Sequence, residues 1–311
     1  MLPIADTVNT SITLAERGQL AASVDQPRGG LRQARRAAES TDSWRAEIDR
    51  QVRPHPVLTY SHESPLVHRC YVKPRGYAGD AVLLDLIYRH PAIQPLASQA
   101  TTRGRQLMEA GLTSPAPRAV RNRCRRLAEE IDAVCCRHPR AEILSLACGH
   151  LREAEHSAAL AEGGFGRFVA LDQDEESVES VRRDYGALGV EAGVGSVKSL
   201  LARGLREWGR FDFIYTAGLY DYLSDRVAAK LLSALYGMLK PGGRVWTANF
   251  VPDIPDVGFM EAILEWWLLY RDAPAMMALA EAGLEGKRDV ASVRTFHETE
   301  GNVVFLEVVK G

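Results

Sequence analysis

Ile143-Leu144-Ser145-Leu146-Ala147-Cys148-Gly149-His150-Leu151 runs from a β-rich segment into a turn of small residues, and a helical stretch from Arg152 to Ala161 follows. That succession is the entry to a βα unit. Small side chains let the backbone approach a bound molecule closely, and the start of the next helix offers N–H groups that lack intrahelical partners. Taken alone, the segment reads equally as an ordinary βα turn. Gly149 is its only glycine. Ala147 and Leu151 stand where nucleoside-binding loops usually carry glycine, and Ser145 stands where they carry an acid. A methyl group at 147 is tolerable if φ there is negative.

The pattern continues on both sides of this turn. Glu142 to Leu146 reads as a first strand, Phe168 to Leu171 as a second, Val190 to Val194 as a third, Phe211 to Tyr215 as a fourth and Arg244 to Asn249 as a fifth. Helical runs, Glu175 to Tyr185 and Asp225 to Leu239, lie between them, as parallel strands joined by crossover helices require. Lys240-Pro241-Gly242-Gly243 reads as a helix stop and turn before the fifth strand. Val290 to His297 and Asn302 to Val309 flank Glu298-Thr299-Glu300-Gly301 and read as an antiparallel hairpin closing the sheet. Before Ala141 the chain is mostly helical, over Leu14 to Val24, Leu31 to Val52, Ala81 to Tyr88 and Pro117 to Cys136, with a loop from Arg53 to Lys73. The expected division is a helical N-terminal cap over 1–115 and a Rossmann-like α/β domain over 116–311. The boundary is soft, because the helix 117–136 can pack on the sheet.

The ends of the strands carry the candidate binding residues, because ligands of open α/β sheets lie at the carboxyl ends of the strands. Ala147, Cys148 and Gly149 follow the first strand. Asp172 and Gln173 end the second, and a carboxylate there can accept hydrogen bonds from both hydroxyls of a ribose. Ser196 and Val197 follow the third strand, where such folds contact an adenine ring. Thr216, Ala217 and Gly218 follow the fourth. Asp174, Glu175 and Glu176 read as complements to a helix dipole.

The sequence resembles class I S-adenosylmethionine (SAM)-dependent methyltransferases related to the bacterial protein that makes the methyl ester of 3-hydroxypalmitic acid, a quorum signal. The resemblance covers roughly residues 54 to 311 and is carried by four strings. They are Lys73-Pro74-Arg75-Gly76-Tyr77-Ala78-Gly79-Asp80, Leu171-Asp172-Gln173-Asp174, Ala217 through Arg226, and Trp266-Trp267-Leu268-Leu269-Tyr270-Arg271-Asp272. It implies a class I methyltransferase sheet, mostly parallel with a C-terminal antiparallel hairpin, beneath an N-terminal helical cap, with S-adenosyl-L-methionine as cofactor. The acceptor is not fixed by it, since members differ in substrate. Ala147 replaces the first glycine of the cofactor loop, and His150 stands where proline or threonine is more usual.

Within that frame, Tyr77, Tyr220, Tyr222, Tyr270 and Arg271 are the candidate catalytic residues. Tyr77 sits between two glycines, where its ring face can meet a desolvated sulfonium; Asp80 reads as either a partner in the site or simply the cap of the next helix. Tyr220 and Tyr222 follow the fourth strand. Tyr270 and Arg271 are expected near the end of an amphipathic helix, where the arginine can hold a carboxylate. Of the adjacent Trp266 and Trp267, one is expected in the core and one in the pocket.

Composition limits the partners. A formal charge of -2 supplies no field for nucleic acid, and the basic run Arg121 to Arg126 reads as a solvated helix face. His55, His62 and His68 lack the spacing of a metal pair, and the five cysteines lack CxxC spacing, so no metal is expected and the thiols read as those of a cytoplasmic enzyme. The first residues do not read as a secretory signal, and Phe259 to Tyr270 is too short and too charged to span a bilayer. The expected partner is a small or carrier-bound substrate, with no nucleic acid and no membrane; the oligomeric state is open. The expected activity is methyl transfer from SAM by in-line displacement. The alternatives are cyclisation of SAM to a cyclic amino acid with release of methylthioadenosine, and a SAM-binding module without catalysis.

Overall fold

Parallel strands covered on both faces need nearly continuous apolar sequence, and the chain beyond residue 140 supplies it. In the computed structural model, which describes residues 4–203 and 208–311, these runs form β1 (Glu142–Leu146), β2 (Arg167–Asp172), β3 (Val190–Val194), β4 (Phe211–Thr216), β5 (Leu239–Phe250), β6 (Val290–His297) and β7 (Val303–Lys310). They build one sheet in the order β3-β2-β1-β4-β5-β7-β6. β1 to β5 are parallel, with Leu144 opposite Val169 on one side and Ile214 on the other. β7 lies antiparallel between β5 and β6. This is the Rossmann-like class I methyltransferase sheet. Its strand order reverses between β1 and β4, which makes the space above those two strands the ligand crevice.

The chain divides into two units, Met1–Arg121 with Pro252–Trp267, and Asn122–Val251 with Leu268–Gly311. In the sheet unit, Leu144, Leu146, Val169, Leu171 and Ile214 pack in one cluster with Leu231, Leu232 and Leu235 from helix Asp225–Gly237. Each such side chain contributes about 1.5–3 kcal/mol on burial. An aromatic cluster holds Phe213 stacked on Tyr215 at 5.4 Å and Trp246 edge-on to Phe213 and Phe305 at 5.6 Å each. Arg126 lies 5.4 Å over the Trp246 ring, which brings the C-terminal part of helix Pro115–Arg137 onto this cluster.

Three readings change within the sheet unit. Lys240-Pro241-Gly242-Gly243 lies inside β5, where the pairing jumps from Phe211↔Leu239 to Phe213↔Arg244, so it forms a bulge in the strand. The stretch after the β1 turn is a 3-10 helix, Arg152–His156, and a short helix, Ala158–Ala161, rather than one helix. Tyr270 and Arg271 are on no helix: helix Val257–Ala262 ends early, and the next helix begins at Ala273. Glu265 has φ 52, a left-handed turn that a continuing helix forbids.

The helical unit is held by a charge pattern written at helical spacing. Arg28, Arg32, Arg35 and Arg36 line one side of helix Leu20–Ala37. They pair with the segment 252–267: Arg28 with Asp256 at 2.8 Å, Arg32 and Arg36 with Asp253, and Arg35 with Glu261 at 2.7 Å. Glu261 also accepts the Trp44 indole N–H at 2.7 Å. Gly258 makes this approach possible, because a Cβ there would stand 2.4 Å from the Leu31 carbonyl oxygen. The expected helix Leu14 to Val24 is broken at residues 17–19, and Leu31 to Val52 is broken at 38–40, where Ser40 and Ser43 form a reciprocal cap. The expected loop Arg53 to Lys73 contains helices Val57–Ser61 and Pro65–Val72. Among the described residues, no helix is long and apolar enough to cross a membrane.

Candidate cofactor and acceptor site

The carboxyl ends of β1, β2 and β3 meet at Asp172. Cys148 N–H donates to the Leu171 carbonyl at 3.1 Å, and Gly149 N–H donates to Asp172 Oδ2 at 2.8 Å. Asp174 N–H donates to Oδ1 at 2.9 Å, and Gly195 N–H donates to the Asp172 carbonyl at 2.8 Å. One residue thus organises the loops after β1, β2 and β3. Burial pushes the Asp172 carboxyl above its ordinary range, and the N–H donors of Asp174 and Gly149 oppose the shift. Each carboxylate oxygen has a further lone pair for a ligand hydroxyl.

Ala147 and Leu151 both take the left-handed backbone, with φ 55 and 53, and Gly149 lies at 54. The condition set for a methyl group at 147, a negative φ, is therefore not met: these are the positions at which glycine would be unstrained. Leu151 tolerates it by burying its side chain completely. Cys148 is half-buried, and burial, with Asp172 nearby, drives its thiol well above the ordinary range, so it remains protonated. Gln173 is exposed. Ser196 and Ser199 cap each other reciprocally before helix Val197–Arg203, with Ser196 Oγ accepting from Ser199 N–H at 3.1 Å. Thr216 ends β4 with its Oγ1 buried and without a hydrogen-bond partner among the described residues, beside the half-buried Ala217 and Gly218.

Three acids and bases missing from the sequence reading lie here. Glu153, in the turn after the β1 loop, accepts the Tyr215 hydroxyl at 2.7 Å, and burial raises its carboxyl. Asp221 Oδ1 accepts from Asn249 Nδ2 and from Phe250 N–H, both at 2.8 Å; burial raises the carboxyl to about 7, against the pull of Arg123, the Phe250 N–H and Arg271. Arg123 is only 3% exposed, which corrects the reading of the basic run as a solvated face. Its position was readable. Arg123, Leu127, Ile131 and Val134 fall on one helix face.

The candidate catalytic residues separate. Tyr220 is a core residue whose hydroxyl donates to the Ala228 carbonyl at 3.3 Å. Arg271 is 4% exposed and spends its donors internally: Nε and Nη2 on Asp225 Oδ1, Nη1 on the Tyr220 carbonyl and Asn249 Oδ1, and Nη2 on the Leu223 carbonyl. It clamps the loop after β4 and leaves no fork for a ligand carboxylate. Tyr222 is 40% exposed at the end of that loop, and Tyr270 is half-buried in the extended segment beside Arg271. In the helical unit, Tyr77 is half-buried in the turn before helix Ala81–Tyr88. Asp80 caps that helix, accepting Leu83 N–H at 2.8 Å, and pairs with Arg69 Nε and Nη2 at 2.8 and 2.7 Å, so it is structural. Trp266 is buried, and Trp267 donates to Glu265 at 2.9 Å beneath Arg45. Among the described residues, no group of three or more His, Cys, Asp or Glu side chains is placed to hold a metal.

This arrangement fits SAM on its donor set: a buried carboxylate at the end of β2, a tight left-handed loop after β1, and a Thr216 hydroxyl at the switch point without a partner among the described residues. Residues 143–243 match the sequence model of the family described as "Methyltransferase domain". No curated protein matches the chain by sequence. A solved structure titled as a possible exported protein from Bordetella parapertussis aligns with 74% of this chain and 79% of its own at 16% identity and a TM-score of 0.55, which shows a shared fold. Weaker alignments join a TehB-like SAM-dependent methyltransferase from Corynebacterium glutamicum (18% identity, 59% of this chain and 86% of that one, TM-score 0.42). Another is to magnesium protoporphyrin IX methyltransferase from Synechocystis (12% identity, 64% and 88%, TM-score 0.46). The matched stretch, from β1 to the bulge of β5, therefore places a methyltransferase domain in this sheet.

Proposed function

We propose that the enzyme passes the SAM methyl group in line to a small or carrier-bound acceptor, either a carboxylate or a hydroxyl, with the carboxylate favoured. The supporting observation is the state of the acid–base groups above β1 and β4. Tyr215 donates to Glu153, Tyr220 to a backbone carbonyl, and Asp221 has one oxygen taken by two donors. Groups so occupied position the backbone rather than shuttle protons. A carboxylate acceptor, ionised well below neutral pH, needs no base. The bound cofactor supplies an activated methyl on a sulfonium. The chain's part is to align the acceptor and exclude water.

In this reading Asp172 holds the ribose, the loop Ala147-Cys148-Gly149 and the segment Thr216-Ala217-Gly218 line the cofactor, and Gln173, Ser196 and Val197 lie on its adenine side. Tyr77 offers its ring face to the sulfonium, and Tyr222 its hydroxyl to the acceptor. Mass spectrometry of SAM incubated with pure protein, with and without cell extract, tests the reading. Formation of S-adenosylhomocysteine with an extract-dependent methylated product is expected. Methylthioadenosine with a cyclic amino acid would replace transfer by cyclisation, and unchanged SAM in every mixture would leave a binding module.

A further inference from the structure

The buried guanidinium of Arg123 has no structural employment that the fold explains. It comes from helix Pro115–Arg137 and is 3% exposed, yet its Nε is buried without a hydrogen-bond partner among the described residues. Burying a guanidinium is costly unless its donors are met. Its position is well defined: a Cβ on Gly218 would lie 3.3 Å from Nη1 and 3.5 Å from Nη2, so the fork sits against the loop that leaves β4. Two acids feel its charge, Glu153 after the β1 loop and Asp221 after β4. It therefore stands at the reversal of strand order, between the turns after β1 and β4.

Neither acid neutralises it well. Burial raises both carboxyls, Glu153 is engaged by Tyr215, and Asp221 Oδ1 by Asn249 and Phe250. A positive fork with spare donors remains, packed closely on Gly218. Resting on the SAM reading, the direction of the cofactor follows from the sheet: Asp172 ends β2 and takes the ribose, adenine extends toward β3, and the opposite end must run toward β1 and β4. We propose that Arg123 is the residue that binds the α-carboxylate of SAM. A planar fork suits a carboxylate, and Arg271 has its donors spent within the fold.

The test compares ligands that share adenosine and differ at the amino-acid end. By calorimetry, Arg123→Gln should weaken S-adenosylhomocysteine about 10- to 100-fold, the effect of losing hydrogen bonds to a charged group, and leave 5′-methylthioadenosine unchanged. Arg123→Lys, which keeps the charge but not the fork, should fall between. Wild-type protein provides a check free of folding effects: decarboxylated SAM should bind about 10-fold or more weaker than SAM. Equal binding of SAM and decarboxylated SAM by the wild type would overturn the assignment, as would equal losses for both ligands in Arg123→Gln. Wild-type protein that binds methylthioadenosine and S-adenosylhomocysteine alike would also refute Arg123 alone. Binding of neither would remove the SAM reading and this inference together.

Discussion

The Gly149 backbone N–H donates to Asp172 Oδ2 at 2.8 Å, so the carboxylate expected to hold a ribose also holds the turn that precedes it. Two functions meet in one side chain. Removing it frees the N–H groups of both Gly149 and Asp174.

Asp172→Ala should therefore lower unfolding free energy by about 1–3 kcal/mol, the cost of unsatisfied donors, and weaken SAM about 10- to 100-fold. Denaturant unfolding and calorimetry read the two effects separately. Undiminished SAM affinity in a folded variant would take Asp172 out of the site.

Ala147 carries a methyl group at φ 55. Left-handed backbone costs a non-glycine residue about 1–2 kcal/mol, and glycine loses about 0.5–1 kcal/mol through greater chain entropy. Ala147→Gly should thus stabilise the protein by roughly 0.5–1 kcal/mol, and Ala147→Val should destabilise it. Leu151→Gly should destabilise despite the same backbone, because the Leu151 side chain is fully buried. Chemical denaturation of the three variants checks the order, and a destabilised Ala147→Gly would refute the strain argument.

The sheet was legible because its strands are short apolar runs, and burial on both faces leaves little freedom in reading them. Asp172 was legible by its place at the end of such a run. Arg123 was misread because the whole basic run was assigned to the solvated face of its helix, although position 123 shares the face of Leu127 and Ile131. The arginine stripe 28, 32, 35 and 36 needed its acidic partners, more than 200 residues away in sequence, to acquire meaning. Trp266 to Arg271 looked helical by residue type, but the pairing of Leu269 N–H with the Asp221 carbonyl and of Arg271 N–H with the Phe250 carbonyl draws the chain out. Long-range bonds of this kind leave no local trace.

Arg271→Ala should act on stability, not on one ligand. Its partner Asp225 is exposed, so the ion pair itself contributes little. The buried acceptors Tyr220 O and Asn249 Oδ1 lose their donor, at a cost of about 2–4 kcal/mol in unfolding free energy. Chemical denaturation measures this. A stable variant with a selectively raised acceptor KM would instead return Arg271 to substrate binding.

The two candidate tyrosines should respond differently to the same change. If the Tyr77 ring meets the cation, Tyr77→Phe keeps the π face and most activity, while Tyr77→Ala loses it. If the Tyr222 hydroxyl meets the acceptor, Tyr222→Phe already lowers kcat, about tenfold for each 1.36 kcal/mol of transition-state stabilisation removed. Steady-state kinetics with the acceptor isolated from extract provides the measurement. Tolerance of alanine at both positions, with SAM affinity intact, would dismiss the pair.

Asp221 gives the protein a pH dependence of definite sign. Burial lifts its folded-state value to about 7 from the ordinary 3.8, although Arg123, the Phe250 N–H and Arg271 pull it down. Between those values the folded protein keeps a proton that the unfolded chain has released. The stability due to this group is therefore fully present below the unfolded value and is lost as pH rises through about 7. Asn249 Nδ2 and Phe250 N–H both donate to Oδ1, and in Asp221→Asn the new amide oxygen can accept both. Thermal unfolding at about pH 5 and about pH 8 should then show a smaller loss of stability in Asp221→Asn than in the wild type. Glu153, Asp172, Asp256 and Glu261 are also raised by burial and remain in both proteins. The difference between the two profiles consequently isolates Asp221, and parallel profiles would show that its carboxyl is ionised in the folded state across the whole range.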